Sequence, residues 1–234
     1  MIAVHRFRKT WNVKVNRYIA LTEFARDLFV QNLQLALDHI SVKPNATADP
    51  GIGKGDGGYA LFVGRLSPEK GISVMLEAAE LGLGMPLKVA GTGPLKDAVI
   101  KAERPGVLEY LDSQSQESVY HLMKGARVLL MPSLWYEGLP MVIPEAFGTG
   151  LPVIASQIGA LKSLVSHEQN GLGVLPGDAM SLAQAAQRLS GDRALEALLR
   201  TGARMSYETY YRPEPNVKSL LEIYHAVLDS SKLK

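Results

Sequence analysis

Residues 127–155 read RVLLMPSLWYEGLPMVIPEAFGTGLPVIA, and this stretch decides the fold class. An apolar run over Arg127–Met131 is followed by a loop, by a helical pattern over Leu139–Phe147 and by a second apolar run over Pro152–Ala155. Continuous apolar runs are typical of strands that are buried on both faces of a parallel sheet. Because successive parallel strands need a crossover connection, a helix between them is expected. The stretch therefore predicts one strand–helix–strand unit of a parallel α/β sheet.

The same alternation continues on both sides of this unit. Further strands are predicted at Tyr59–Val63, Leu87–Ala90, Val107–Leu111 and Gly171–Leu175. Amphipathic helical patterns lie at Pro68–Leu81, Pro94–Glu103, Gln116–Lys124, Met180–Leu189, Arg193–Tyr207 and Pro215–Leu228. Strands that alternate with helices in this way predict an α/β fold, a Rossmann-like, doubly wound parallel sheet with right-handed crossovers.

Glycine and proline separate this region from the start of the chain. Residues 44–58 read PNATADPGIGKGDGG, a composition that is typical of a linker. Before it, Arg17–Leu21 and Ile40–Lys43 are predicted strands, and a helix begins after Thr22. So small a piece cannot build an independent core, so it must pack on the main domain, on a partner or on something missing from the chain. The predicted parts are residues 1–43, the linker 44–58, the main domain 59–212 and a carboxyl-terminal helix over 213–234.

Composition excludes several classes of protein. With 47% hydrophobic and 21% charged residues the chain resembles an ordinary globular protein, and a net charge of +2 is too small to indicate a nucleic-acid partner. The absence of cysteine excludes disulfides and thiolate chemistry. The start of the chain lacks the apolar core of a signal peptide, and no apolar run reaches the roughly 18 residues of a membrane span. A cytoplasmic location is therefore expected.

The start of the chain carries an uneven charge. Residues 1–22 contain no acidic residue and five basic ones, namely Arg6, Arg8, Lys9, Lys14 and Arg17. Such a run is either a solvated face or a surface that contacts anionic lipid or another domain. A peripheral contact with the inner face of a membrane therefore stays open.

Residue spacing predicts neither a metal site nor a familiar nucleotide motif. The five histidines show no ligand spacing and are expected to be surface or packing residues: His5, His39, His121, His167 and His225. No G-x-x-x-x-G-K-[ST] motif is present. Gly91-Thr92-Gly93 supplies two glycines of a dinucleotide fingerprint, but Lys96 stands in place of the third, so the pattern on its own favours a plain turn.

Two cations follow the first strand of the main domain. In an open parallel sheet, ligands bind at the carboxyl ends of the strands. Gly64 comes directly after the run YALFV and allows close backbone approach, and Arg65 and Lys70 follow it. Two cations at one strand end suit a diphosphate, with Arg as a fork and Lys as a point charge. The alternative is a turn with ordinary exposed charges.

The segment Pro132–Glu145 is predicted to bind the same ligand. A helix that starts with Pro140 near its first position leaves the N–H groups of Met141 and Val142 free, as a phosphate requires. Glu145, about one and a half turns further on, would reach ribose hydroxyls. Glu137, on the loop, would face the opposite end of the diphosphate. The alternative is a structural loop with two unrelated surface glutamates.

Together these segments resemble a known family. FVGRLSPEKG (62–71), VAGTGPL (89–95), PSLWYEGLPMVIPEAFGTGLPVIAS (132–156) and NGLGVLPGD (170–178) are similar to the carboxyl-terminal domain of retaining family-4 glycosyltransferases of the two-domain B fold. EGLPMVIPEA, a Glu-x7-Glu motif, is the most specific part. Residues 16–45 (NRYIALTEFARDLFV…ISVKPN) resemble the end of that family's amino-terminal, acceptor-binding domain. On this resemblance residues 1–43 are a remnant of that domain. A departure is Asp112, where the family often has Gly.

The resemblance implies transfer of a sugar from a nucleotide-diphosphate donor with retention, without a metal and without a cofactor. Arg65 and Lys70 would stabilise the diphosphate leaving group, Glu137 would hold the donor sugar and Glu145 the ribose. The other residues that it places around the donor are Gly64, Gly91, Gly93, Gly138, Leu139, Met141 and Val142. The donor would be a UDP, GDP or ADP sugar. The acceptor domain would be supplied elsewhere or lost by truncation.

Two other functions stay open on the sequence. The chain could be a nucleotide-sugar-binding remnant without turnover that acts as an interaction module, or a B-fold enzyme such as a sugar-nucleotide epimerase. A partner is also predicted from the piece at 1–43. Deprived of its own domain, it is expected to expose Phe24, Leu28 and Phe29 and to drive self-association.

Overall fold

Two parallel sheets organise the computed structural model, which describes Thr10 and residues 14–232. The strands are β1 (Tyr18–Ala20), β2 (Ile40–Val42), β3 (Ala60–Val63), β4 (Leu87–Ala90), β5 (Leu108–Tyr110), β6 (Val128–Met131), β7 (Val153–Ser156) and β8 (Gly171–Val174). The helices are α1 (Glu23–Leu33), α2 (Ile72–Leu81), α3 (Lys96–Ala102), α4 (Gln116–Gly125), α5 (Val142–Gly148), α6 (Leu161–Leu164), α7 (Ala179–Gly191), α8 (Arg193–Tyr210) and α9 (Pro213–Lys232). Short 3-10 turns cover Leu37–His39 and Pro68–Lys70.

The main sheet confirms the predicted fold class. Its six strands are all parallel and lie in the order β5-β4-β3-β6-β7-β8. The chain moves outward from β3 to β5 and then returns to place β6 on the other side of β3. A ligand crevice is expected where the direction of winding reverses in this way. That point lies between the carboxyl ends of β3 and β6.

Side chains of the central strands alternate between two apolar layers. Phe62 and Leu130 point to the layer formed with α2 and α7, whereas Leu61 and Leu129 point to the layer formed with α4, α5 and α8. All four are at most 2% exposed. Both faces of the sheet are therefore covered, which explains why the strands are continuous apolar runs in the sequence.

Two predicted helix boundaries beside the switch point were wrong. The pattern over Pro68–Leu81 is interrupted at Gly71, which has a φ of +72° and separates a 3-10 turn from α2. A Cβ on Gly71 would lie 1.9 Å from the carbonyl oxygen of Pro132, so only glycine fits this contact. The helix expected from Leu139 begins at Val142, and Pro140 precedes it. The short helix α6 was not predicted as such.

Residues 44–58, predicted as a linker, lie against the main domain. The Gly53 N–H donates to the Thr149 carbonyl at 2.9 Å, and the Tyr207 hydroxyl donates to the Thr47 carbonyl at 3.1 Å. Both carboxylate oxygens of Asp49 accept from Arg204, which lowers the pKa of Asp49 to about 2. The segment connects the two sheets and is held along its length.

Residues 14–43, called here the amino-terminal segment, form the second sheet. β1 and β2 pair in parallel, and α1 covers them over a small apolar cluster of Ala20, Leu35 and Ile40. Helix α9 fastens to the segment through Asn216, whose Oδ1 accepts from Lys43 at 2.6 Å. The basic residues Arg6, Arg8 and Lys9 lie outside the described residues. No helix of the described part combines the length and the apolar character that a membrane crossing requires.

The prediction of exposed apolar residues on α1 holds for one of the three. Phe29 is 38% exposed. Leu28 is half-buried. For Phe24 the prediction was wrong, because its ring packs 5.1 Å from the ring of Tyr136 and contributes to the edge of the main core.

Candidate active site

A cleft opens at the switch point between β3 and β6. One cavity of about 380 Å³ is lined by residues that follow β3, by residues that follow β6 and by the start of α5. Its polar and charged lining consists of Arg65, Lys70, Gln114, Gln116, Ser133, Glu137 and Glu145. A second cavity of about 570 Å³ adjoins it across Gly64 and Arg65 and extends over the ends of β4 and β5. We refer to the two cavities together as the switch-point cleft.

The predicted cations lie together in the first cavity. Arg65 is exposed at the end of β3 and borders both cavities. Lys70 ends the 3-10 turn that follows, and its ammonium group forms an ion pair with Glu137 at 2.6 Å. This turn is fixed to the loop after β6, because the Leu134 N–H donates to the Glu69 carbonyl at 2.8 Å. Sequence reasoning placed Lys70 and Glu137 in one site but not in direct contact.

Glu137 is held by two donors. Its Oε1 atom accepts from Lys70 Nζ at 2.6 Å and from the Ser133 hydroxyl at 2.9 Å. Ser133 is 1% exposed and follows β6 after Pro132. These two hydrogen bonds hold the carboxylate in the lining of the cleft.

The start of α5 forms another wall of the first cavity. Met141 and Val142 both line it, while the N–H of Ile143 donates to the Pro140 carbonyl at 3.0 Å. Pro144 is the third helical residue and so removes no intrahelical donor. Glu145 is half-buried beside them and accepts from the Gln116 amide at 3.1 Å. Burial raises the pKa of Glu145, although the hydrogen bond from Gln116 opposes this shift.

Gly91 and Gly93, which line the second cavity, lie too close to the loop after β3 to carry a side chain. A Cβ on Gly91 would lie 1.9 Å from the Gly64 carbonyl oxygen, and one on Gly93 would lie 2.4 Å from the Leu66 carbonyl oxygen. Both glycines, which the resemblance placed around the donor, line the cavity. Their close approach to the loop after β3 is what excludes a side chain.

Two predicted donor-binding residues lie outside the lining. Gly138 is exposed, and the side chain of Leu139 is 8% exposed and packs in the core. The neighbouring Trp135 is 70% exposed, whereas Tyr136 packs on Phe24. Leu139 therefore anchors the loop from below, while Glu137 on the same loop lines the cavity.

Comparison with known proteins identifies the family. Residues 57–192 match the family model described as glycosyl transferases group 1. The chain belongs to this family. An uncharacterised glycosyltransferase of Methanocaldococcus jannaschii is 28% identical over 176 residues, which cover 72% of this chain and 45% of that protein. The amylovoran biosynthesis glycosyltransferase AmsK of Erwinia amylovora is 29% identical over 176 residues, which cover 70% of this chain and 43% of that protein.

Solved structures of low sequence identity share the fold. Anabaena HepE in complex with UDP has a TM-score of 0.81 and 19% identity, over 90% of this chain and 64% of that one. A glycosyltransferase from Rickettsia africae has a TM-score of 0.81 and 18% identity, over 95% of this chain and 67% of that one. The chain spans less than half the length of the two curated relatives.

Asp112 stands where the family often has Gly, and its backbone adopts the left-handed conformation that glycine favours. Asp112 follows β5 with a φ of +56°. Its Oδ2 atom accepts from Lys96 Nζ at 2.8 Å, and its Oδ1 atom accepts from the Ser113 N–H at 2.8 Å. These bonds lower the pKa of Asp112 and help to hold a backbone conformation that costs roughly 1–2 kcal/mol for a residue with a Cβ.

Sequence reasoning missed three polar side chains of the cleft. Ser133, Gln114 and Gln116 line the first cavity but carry no local motif that separates them from surface residues. The only signal for Ser133 is its place two residues after a buried strand, at the edge where ligands bind. The described residues also contain no group of three or more histidine, aspartate or glutamate side chains that could hold a metal ion.

Proposed function

We propose that this chain is the donor-binding half of a glycosyltransferase that transfers a sugar from a nucleotide-diphosphate sugar, with retention and without a metal or another cofactor. One observation carries the proposal. Two cations and two carboxylates, Arg65, Lys70, Glu137 and Glu145, line a single cavity at the switch point of the sheet. An elongated ligand with a diphosphate between two sugars complements this distribution of charge.

Each charge has a task in this proposal. Arg65 and Lys70 bind the diphosphate and stabilise the negative charge that develops on it as the glycosidic bond breaks, a task that a metal ion performs in other enzymes. Glu145, half-buried near the start of α5, accepts from the ribose hydroxyls. Glu137 accepts from hydroxyls of the donor sugar. The amides of Met141 and Val142 add two donors to the phosphate side.

The second cavity would take the base. It continues from the first beyond Arg65 and is walled by Val119 and by the chain around Gln114. Structures of Anabaena HepE with UDP and with UDP-glucose share the fold, and this supports a uridine donor as the first to test. The acceptor is proposed to bind a domain outside this chain, since the chain covers 45% and 43% of its two relatives.

Binding of nucleotides tests the proposal directly. Titration calorimetry with UDP-glucose, GDP-mannose and ADP-glucose is expected to show one donor that binds the chain. Replacing Arg65 by Ala should weaken that donor about tenfold to a hundredfold, because a charge-assisted hydrogen bond is lost. Arg188→Ala is the matched control, since Arg188 is an exposed cation paired with Glu168 away from the cleft. No binding of any donor at millimolar concentration would contradict the proposal.

Slow hydrolysis separates a working site from a binding module. Water is expected to replace the acceptor, so the chain should release nucleoside diphosphate and free sugar from the bound donor, and Glu137→Ala should abolish this release. Proton NMR of the fresh product should show the anomeric configuration of the donor, and chelators should leave the rate unchanged. An inverted sugar would refute retention. Binding without release, unchanged by Glu137→Ala, would favour a remnant that only binds.

A further inference from the structure

Ser133 and Lys70 clamp a single oxygen of Glu137. Both donate to Oε1, at 2.9 Å and 2.6 Å. In the part of the chain that the structure describes, Oε2 of Glu137 accepts no hydrogen bond from protein. Oε1 therefore takes both protein donors, and Oε2 is available to a ligand in the cavity that Glu137 lines.

Lys70 and Ser133, the two donors to Glu137, differ in how strongly a bound diphosphate would attract them. Lys70 is a cation in the same cavity as Arg65, so a bound diphosphate competes with Glu137 for its ammonium group. Ser133 is 1% exposed, and its hydroxyl is a neutral donor that a diphosphate attracts less strongly than it attracts an ammonium group. Its backbone is fixed, because the preceding Pro132 contacts Gly71 and the following Leu134 bonds to Glu69. When Lys70 turns to a diphosphate, Ser133 is the donor that still holds Glu137.

A carboxylate held beside a diphosphate has opposite effects on two ligands. It repels the bare nucleoside diphosphate, because like charges close together are unfavourable in a partly buried site. It attracts the intact donor, because a sugar hydroxyl can donate to Oε2 and offset that repulsion. A Glu137 free to turn away would avoid both effects.

Resting on the proposed function, we propose that Ser133 is a positioning residue that makes the site select the sugar-bearing nucleotide over the bare nucleoside diphosphate. The hydroxyl of Ser133 keeps Glu137 in place while Lys70 serves the phosphates. The same arrangement favours release of the nucleoside diphosphate once the sugar has been transferred.

The test compares two ligands on one base. Calorimetry with UDP and UDP-glucose (or with the GDP or ADP pair, whichever the wild-type chain binds) gives the ratio of their dissociation constants. Ser133→Ala should weaken the sugar nucleotide about tenfold without weakening the diphosphate, since a hydrogen bond to a charged group is lost. Glu137→Gln should reduce the ratio in the same way and tighten the diphosphate. Adding Ser133→Ala to Glu137→Gln should change the ratio by less than about twofold, because the two act through one bond.

Ser67→Ala is the matched control. Ser67 is 2% exposed and donates to Glu69 Oε1 at 2.6 Å on the adjacent loop, but neither residue lines the cleft. It should leave the ratio unchanged. Equal ratios in wild type and Ser133→Ala, or equal weakening of both ligands with a lowered melting temperature, would overturn the inference while the proposed function stands. A wild-type chain that binds none of the nucleotides would overturn both.

Discussion

The main domain and the amino-terminal segment are both parallel α/β structures, but only the first encloses its own interior. In the main sheet, β3, β4, β6 and β7 have strands on both sides, and two apolar layers cover the faces. The sheet of the amino-terminal segment has two strands, so each has an open edge, and three apolar residues are buried beneath α1. Two strands with one helix are too few for independent stability.

The proposed donor site belongs to only one of these two regions. Every residue of the proposed donor site lies on the main domain, and its position is set by the six-stranded sheet. The amino-terminal segment contacts the loop after β6 through Phe24, which packs on Tyr136. We therefore expect mutations in the two regions to have separable effects, and the following predictions test that separation from the largest effect to the smallest.

The largest effect is expected from the buried ion pair of the main domain. Arg127 and Glu196 are each 5% exposed and bond at 2.9 Å and 2.5 Å, which joins β6 to α8. Glu196→Gln should lower the free energy of unfolding by about 3–5 kcal/mol, because a buried guanidinium loses its counter-charge. Urea titration followed by circular dichroism measures this. Glu168→Gln, which breaks an exposed pair with Arg188, should cost no more than about 1 kcal/mol, and equal costs would contradict the argument.

A pair of core truncations tests the two regions against each other. Leu130→Ala removes a fully buried side chain from the main sheet and should cost about 2–5 kcal/mol. Leu35→Ala, at 3% exposure in the amino-terminal segment, should change the main unfolding transition by less than about 1 kcal/mol. Hydrogen exchange should instead increase over residues 14–43. If Leu35→Ala lowered the main transition as much as Leu130→Ala, the two regions would be one cooperative unit.

Open edges and apolar exposure should produce self-association. Phe29 and Ile19 are each 38% exposed on the amino-terminal segment. Light scattering is expected to show an apparent mass that rises with concentration, and Phe29→Glu should reduce that rise by placing a charge in the contact. Leu81→Glu, at an exposed position of the main domain, is the control and should leave it unchanged. A wild-type chain that stays monomeric at high concentration would refute the prediction.

The smallest effect concerns Glu145, where binding and stability oppose each other. Burial raises its pKa in the folded state above the usual 4.5, so the folded state favours the protonated form. Its contribution to stability is fully present below that usual value and is lost as the pH rises through the raised pKa. Glu145→Gln removes this loss and should gain stability relative to wild type, by less than about 1 kcal/mol, between about pH 4 and pH 7.

Urea titrations at the two pH values measure the effect of Glu145→Gln. The same variant should weaken donor binding, because an amide is a poorer acceptor for ribose hydroxyls than a carboxylate. A stability difference that does not change with pH would show that the carboxylate is equally solvated in the folded and unfolded chain.

Much of the fold could be predicted because its signals are local. Strands β3, β4, β6 and β7 coincide with apolar runs to within a residue at each end, since a strand buried on both faces needs an uninterrupted apolar sequence. Helix starts were less certain. Pro140 marked the region of the α5 start, but the helix begins at Val142, because a proline is compatible with the turn before a helix as well as with its first residue.

In the site, too, the sequence indicated some residues and gave no signal for others. The sequence could place Arg65, Lys70, Glu137 and Glu145 at one edge of the sheet because they belong to segments that follow strand ends, and all four line one cavity. Ser133 could not be predicted, because a serine after a strand is common. Its hydrogen bond to Glu137 depends on the conformation of the loop, which has no local signal. The contact between Lys70 and Glu137 joins residues that are 67 positions apart, and it exists only because β6 pairs with β3.

By itself the sequence determined the strand and helix segments, the covered sheet and the residue types at each strand end, since these follow from apolar periodicity and from the backbone limits of glycine and proline. Tertiary structure alone decided that β6 returns to lie beside β3. Strand order is set by packing over the whole sheet and has no local period. That pairing brings the Lys70 turn against the Ser133 loop and leaves the carboxylate of Glu137 clamped on one side and open to a ligand on the other.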